Sequence, residues 1–387
     1  MDAWVWLGVS VVLAGVLLFY RVAPGWVERA LNPVVQPPAA VSSAALALHG
    51  RLRIADLHTD SLLWGRDLLA RSGRGHADIP RLLAGNVALQ VLTVVTKTPR
   101  HQNIDHNDDC TDNILPLALA QRWPMRCWGS LCERCLYQSW RLHDMARRAE
   151  GRLLLIKSQA DLRAYLQRRQ REPGIIAALL GIEGAHALDG DLANLERLYD
   201  AGFRLMSPSH FFDTDIGGSA HGMAQGGLTD KGRQWLAWME AHGMVVDLAH
   251  ASGATLDDVL RLARKPVVVS HTGVKGTCAN ARNLSDAQLE AVAANGGLVG
   301  IGFWDTATGG NDVAAIVRAL RHAVDRIGAC HVALGSDWDG AVAVPFDAAR
   351  LAELTDGLLG AGFNEDEIAS IMGENVLRYL AQVLPPG

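Results

Sequence analysis

Arg53-Ile54-Ala55-Asp56-Leu57-His58-Thr59-Asp60 is a short apolar run that ends in an imidazole and a carboxylate. Residues two apart on a strand point to the same face. His58 and Asp60 therefore share one side, with Asp56 one step deeper. Seven further apolar runs follow, at 86–95, 175–183, 203–210, 244–250, 266–271, 298–304 and 332–337. Strands buried on both faces read as near-continuous stretches of this kind. Helical spacing alternates with them at 229–241, 255–263, 285–294, 312–327, 348–359 and 365–383. Strand–helix alternation calls for a parallel sheet with helices outside.

Glu183, His210, His250, His271 and Asp337 each close one of these runs. In a (β/α)8 barrel the C-terminal strand ends converge on one face. The expected fold class is α/β, a (β/α)8 TIM-type barrel with an N-terminal transmembrane helix and a long inserted loop after strand two. A doubly wound open sheet is the alternative, but polar residues spread over so many strand ends fit a closed ring better. The length of 387 residues suits one such barrel.

The expected organisation is an anchor at 1–22, a linker at 23–48 and a catalytic domain at 49–387. Residues 3–20 are 18 uncharged, mainly apolar positions, at the lower end of the roughly 17–25 needed to span a bilayer. A cleaved signal peptide or a buried core helix are the alternatives. Met1-Asp2 carries no Lys or Arg and no clear cleavage site follows, which favours the single-pass anchor. Arg21 and Arg29 follow the span, so the positive-inside tendency leans weakly to a cytoplasmic body. Prolines 24, 33, 37 and 38 read the next stretch as a tether.

A net charge of -5 favours no polyanionic partner, and no basic–aromatic strip invites nucleic acid. The excursion from 97 to 171 is too long for an ordinary connection. It is expected to cover the barrel mouth and to contain an amphipathic helix around 137–149. Cys110, Cys127, Cys132 and Cys135 lie within it, and Cys132-Glu133-Arg134-Cys135 has the spacing of a redox pair or half a zinc site. Disulfides, metal binding and reduced thiols all remain open there.

The strand-end residues carry the chemistry. One H-x-D is a weak signal, since a lone strand-end histidine is commonly structural. Several convergent histidines and carboxylates form a stronger one. His58 and Asp60 offer one ion an imidazole and a carboxylate. Glu183, with two oxygens and Gly184 behind it, is suited to bridge two ions. His250 and His271 supply the second. Such nitrogen and oxygen donors suit zinc, and also manganese, cobalt or iron. Two ions in this arrangement can share a hydroxide and polarise a carbonyl. Asp337 is the expected general acid/base, Asp56 a supporting acceptor and Asp339 a turn residue.

The sequence resembles the membrane (renal-type) dipeptidases, peptidase family M19, within the amidohydrolases. The resemblance lies in Asp56-x-His58-x-Asp60, Gly181-Ile182-Glu183-Gly184, Gly227-Leu228-Thr229, the run 244–250, Ser270-His271, Arg282-Asn283 and Gly335-Ser336-Asp337-Trp338-Asp339-Gly340. It spans about 50–380. It implies a (β/α)8 barrel with two zinc ions, a bridging hydroxide and hydrolysis of dipeptides, some with a C-terminal D-residue. His58, Asp60 and Glu183 would hold one ion, and Glu183, His250 and His271 the other. His210 would contact the scissile carbonyl oxygen, Arg282 would receive the substrate carboxylate, and Asp337 would be the acid/base. The cysteine-rich insert and the N-terminal span depart from the mammalian enzymes, which carry a C-terminal lipid signal.

The expected partners are a small dipeptide and a membrane, with room for a homodimer. Two other activities compete: hydrolysis of lactams or N-acyl amino acids on the same scaffold, and a catalytically silent membrane-anchored binding protein. The complete set of site residues argues against the last.

Overall fold

The computed structural model describes residues 3–387. Nine parallel strands form its centre: β1 (Ile54–Thr59), β2 (Val87–Val95), β3 (Leu153–Leu155), β4 (Ile176–Glu183), β5 (Phe203–Met206), β6 (Val245–Val246), β7 (Val268–Thr272), β8 (Leu298–Ile301) and β9 (Val332–Leu334). The neighbour order is β6-β5-β4-β2-β1-β9-β8-β7. A parallel bridge between Asp247 and Val268, with the Leu248 amide donating to the Val268 carbonyl at 2.7 Å, joins the two ends. The ring is the expected TIM-type barrel, with β3 as an extra strand beside it.

Every apolar run read from the sequence supplies a strand of this ring, but several strands stop short of the expected ends. The run 244–250 keeps only two ladder residues. Beyond them the Asp247 carboxylate takes over, accepting from the amides of Ala249 and Ser270 at 3.0 and 2.8 Å. The run 203–210 likewise leaves the ladder at Met206. β3 was not expected. It pairs with the first half of β4, from Ile176 to Ala178, while β5 pairs with the second half.

Helices surround the ring. The capping box at Ser285 and Gln288 is present and starts Asp286–Ala294. Asn364 caps Glu365–Ala369. The single helix expected over 365–383 is interrupted at Gly373, whose backbone lies against Arg53–Ala55 at the start of β1. A Cβ there would meet the Arg53 carbonyl at 2.1 Å. Close packing, which leaves no trace in apolar periodicity, sets the break.

Two expectations for the first half need correction. The stretch read as a tether is ordered: α1 runs Ala3–Leu31 through Pro24, and a second helix covers Ser43–His49. Glu28 in α1 is buried and ion-paired with Arg66 and Arg74. The Asn32 carboxamide accepts from the Ala341 amide at 2.9 Å. The excursion 97–171 is also only partly a cover. Thr98 and 101–104 approach the mouth, whereas Leu131–Arg148, β3 and Gln159–Arg169 belong to the barrel wall. The helix expected around 137–149 begins earlier, because the Ser130 hydroxyl caps it by accepting from the Glu133 amide. All six cysteines are free thiols, and Cys127, Cys132 and Cys135 are buried.

Candidate metal and catalytic centre

β1 turns His58 and Asp60 to one side, with His58 Nε2 3.5 Å from Asp60 Oδ1. Thr93, beside them on β2, donates to Asp60 Oδ1 at 2.7 Å. Glu183 closes β4 and reaches into the same space. Its Oε1 lies 3.7 Å from His58 Nε2, 3.0 Å from His250 Nε2 and 3.3 Å from His271 Nε2. Its Oε2 lies 3.3 Å from His210 Nε2. Asp337 Oδ1 stands 3.7 Å from His58 Nε2. All seven side chains of this cage are buried.

The backbone is bent to present two of them. His250 and Asp337 have φ of 63° and 59°, in the left-handed region that non-glycine residues rarely adopt. Such strain persists where surrounding structure enforces it, commonly at functional sites. Asp56 supplies part of that enforcement. It accepts from the Ser336 amide at 2.7 Å, the Ser336 hydroxyl at 2.7 Å and Gln90 at 2.6 Å. It thus fixes the chain next to Asp337 instead of orienting a histidine. Asp247 acts on His271 through Ser270, whose hydroxyl lies 2.6 Å from Asp247 Oδ2 and 2.9 Å from His271 Nδ1.

Asp339, expected as a turn residue, is a buried hub. It receives hydrogen bonds from Ser61 and Arg66, and from the His76 amide at 2.6 Å. Burial works against its charge, but Arg66 and His76 overcome this and keep its pKa below the usual carboxylate value.

Electrostatics show what the cage lacks. Burial drives Glu183 well above the ordinary carboxylate range, and neighbouring Asp60 adds to the rise. Asp337 is pushed up to about 8, first by burial. Burial holds His210, His250 and His271 well below the ordinary imidazole value, in the neutral form that can ligate. Burial also acts to lower His58, but Glu183 and Asp60 outweigh it and raise the ring to about 10. Several buried carboxylates facing three neutral imidazoles and a single cationic ring make a site short of positive charge. Three groups have ligand atoms close enough to hold an ion: His58, Glu183 and His271; Glu183, His210 and His250; His58, Asp60 and Asp337. The donor chemistry fits divalent transition metals.

Arg282 is buried beside the cage and donates to the His271 carbonyl. Burial lowers it to about 10, although Asp337 and Glu183 oppose the shift. Cage and guanidinium open into a cavity of about 1090 Å³. Sequence reasoning missed His221 on its wall. Its Nδ1 meets the Ile104 carbonyl at 2.6 Å, while Nε2 is buried without a partner. It ends no strand, so no pattern marked it. Also missed was the contribution of α1, whose residues from Phe19 to Leu31 line the same cavity.

Known proteins resemble this chain over most of its length. The profile of Membrane dipeptidase (Peptidase family M19) matches residues 43–384. A dipeptidase, aclJ, from Aspergillus oryzae is 28% identical over 356 residues, covering 86% of this chain and 78% of its own. An uncharacterised protein from the pqqA 5′ region of Klebsiella pneumoniae is 32% identical over 258 residues, covering 62% of this chain and 93% of its own. The crystal structure of the metallopeptidase dipeptidase AC, of family M19, superposes with a TM-score of 0.71 at 25% identity, covering 86% of this chain and 99% of that one. With a family match across the whole barrel, and a buried cage suited to metal at its mouth, the chain belongs to the membrane dipeptidases of peptidase family M19 and is a metal-dependent hydrolase.

Proposed function

We propose that this dipeptidase works with two divalent cations, zinc foremost, and cleaves dipeptides, including those with a C-terminal D-residue. The observation that carries this reading is the position of Glu183. One of its oxygens faces His58, His250 and His271, and the other faces His210. His58, Asp60 and Glu183 would hold one cation, and Glu183, His250 and His271 the other. Bound there, the cations supply the charge that polarises a carbonyl and eases deprotonation of water.

The chain's own groups do the rest. Arg282 binds the free carboxylate of the substrate, a task suited to a planar guanidinium, and so sets the scissile amide over the cage. His210 steadies the charge developing on the carbonyl oxygen. Asp337 takes a proton from the attacking water and returns it to the leaving amine. Its position beside His58, lining the cavity, supports that role. Burial of the whole cage removes competing solvent and strengthens each of these interactions.

In the same reading α1 anchors the enzyme. Trp4–Leu31 is long and apolar enough to cross a membrane, and its most apolar window is wholly exposed. The catalytic body leans to the cytoplasmic side. The test is hydrolysis of L,L- and L,D-dipeptides by the full-length protein with and without a chelator, alongside metal analysis. Turnover lost on chelation and restored by zinc is expected; undiminished turnover by metal-free protein refutes the reading.

A further inference from the structure

The cavity over the cage is larger than a dipeptide requires. At about 1090 Å³ it exceeds the roughly 300–1,000 Å³ of sites for drug-sized ligands, several times what two small residues fill. Its far wall is α1. Phe19, Ala23, Val27 and Leu31 all line it, and a spacing of four places them on one helix face. Val27 packs against the cluster of Leu63, Trp64 and Ile114, which links this face to the barrel. The wall is fixed in place. Glu28 is buried in ion pairs with Arg66 and Arg74, and the amides of Val35 and Val344 bond across to Val344 and Pro33 at 2.9 and 3.1 Å.

The wall is also continuous with the membrane segment. Phe19 and Tyr20, at the open end of the cavity, are the last residues of the uncharged stretch and are 63% and 40% exposed. The 18 residues from 3 to 20 rise about 27 Å as a helix, close to the ~30 Å hydrocarbon core of a bilayer. The mouth then opens at the lipid surface.

We propose that α1 is a specificity-determining wall and that the substrate is an amphiphile, an amide with a carboxylate at one end and a long apolar chain that lies along Phe19, Ala23, Val27 and Leu31. This rests on the reading of the cage as an amide-hydrolysing site. The polar end enters the cage and meets Arg282; the chain leaves toward the bilayer.

The experiment uses full-length, metal-loaded enzyme in lipid nanodiscs. Two substrate series are compared: X-alanine dipeptides whose first side chain lengthens from methyl to a linear alkyl of about eight carbons, and N-acyl-alanines of matching length. Wild-type kcat/KM is expected to rise at least about tenfold along a series, mainly through KM, as methylenes are buried. Ala23→Trp, which fills the wall, and Val27→Asp, which charges it, are expected to cut the long-to-short ratio about fivefold or more, by pocket discrimination. Comparing that ratio between wild type and variant, in the same nanodiscs, cancels partition of the long substrates into lipid. A flat or falling wild-type series, or a ratio unchanged in both variants, overturns the proposal. Chain-length dependence seen only with N-acyl-alanines overturns the dipeptidase reading and keeps the wall. No turnover in either series removes both.

Discussion

His250 and His271 point their Nε2 atoms at each other, 2.9 Å apart, both within 3.3 Å of Glu183 Oε1. Both rings are held neutral by burial, and a single N–H···N hydrogen bond between them leaves their shared approach to one carboxylate oxygen unexplained. A cation explains it.

Removing metal should therefore destabilise the fold as well as abolish turnover. A ligand at about 100 times its Kd adds about 2.7 kcal/mol to the folded state. The thermal midpoint of chelated protein is expected to fall by several degrees and to return with zinc. Glu183→Gln should lose metal from both positions, as read by elemental analysis. A variant that keeps two ions per chain would show that Glu183 is not the shared ligand.

Asp337→Asn keeps the shape of the side chain, and asparagine tolerates the left-handed backbone that Asp337 adopts. Loss of a general acid/base costs about 10²- to 10⁴-fold in kcat. The expected variant retains its metal, keeps KM within a few-fold and loses kcat by that amount. An unaltered kcat would remove Asp337 from proton transfer.

Arg282→Ala should act on binding instead. A lost charge-assisted hydrogen bond is worth about 1.5–3 kcal/mol, so KM for free dipeptides is expected to rise by roughly 10- to 100-fold. Dipeptide amides, which lack the carboxylate, should be nearly indifferent to the change. Equal losses on both substrates would argue that Arg282 only supports the His271 loop.

Much of the site was legible because strand ends are local. His58 and Asp60 declare themselves by a spacing of two on β1, and Glu183 and His271 by closing their apolar runs. The barrel follows from the same alternation. What escaped reading depends on contacts between distant segments. β3 is too short to show a pattern. Gly373 breaks a helix only because β1 lies against it. Pro24 looked like the end of ordered structure, yet α1 continues to Leu31 because Glu28 and Asn32 find partners more than thirty positions away. One helix hydrogen bond lost at a proline is outweighed by those contacts.

That coupling predicts an effect of α1 on the enzyme body. Arg66 holds both Glu28 and Asp339, and Asp339 organises the loop that carries Asp337. Breaking a buried pair by deleting one partner costs about 3–5 kcal/mol. Glu28→Ala in the full chain is expected to lower the thermal midpoint and to reduce kcat. Arg29→Ala, an exposed change on the same helix, should do neither. Matching behaviour in the two variants would disconnect α1 from the site.

His186 gives a prediction about acid stability. Both of its ring nitrogens are buried without partners, and it packs on Phe212 with ring centroids 4.8 Å apart. Burial, with Lys97 and Arg134 nearby, lowers its pKa to about 3. Above the unfolded value of about 6.5 neither state binds the proton, so this group leaves stability unchanged. As pH falls below 6.5 the unfolded chain takes up a proton that the folded chain refuses until about pH 3, and stability is lost across that window. His186→Phe keeps the aromatic contact and removes the titration. Its thermal midpoint should decline less steeply than wild type from pH 6.5 to 4, while the two proteins differ little at pH 7.5. Parallel declines would mean that His186 finds a proton-accepting partner in the folded protein.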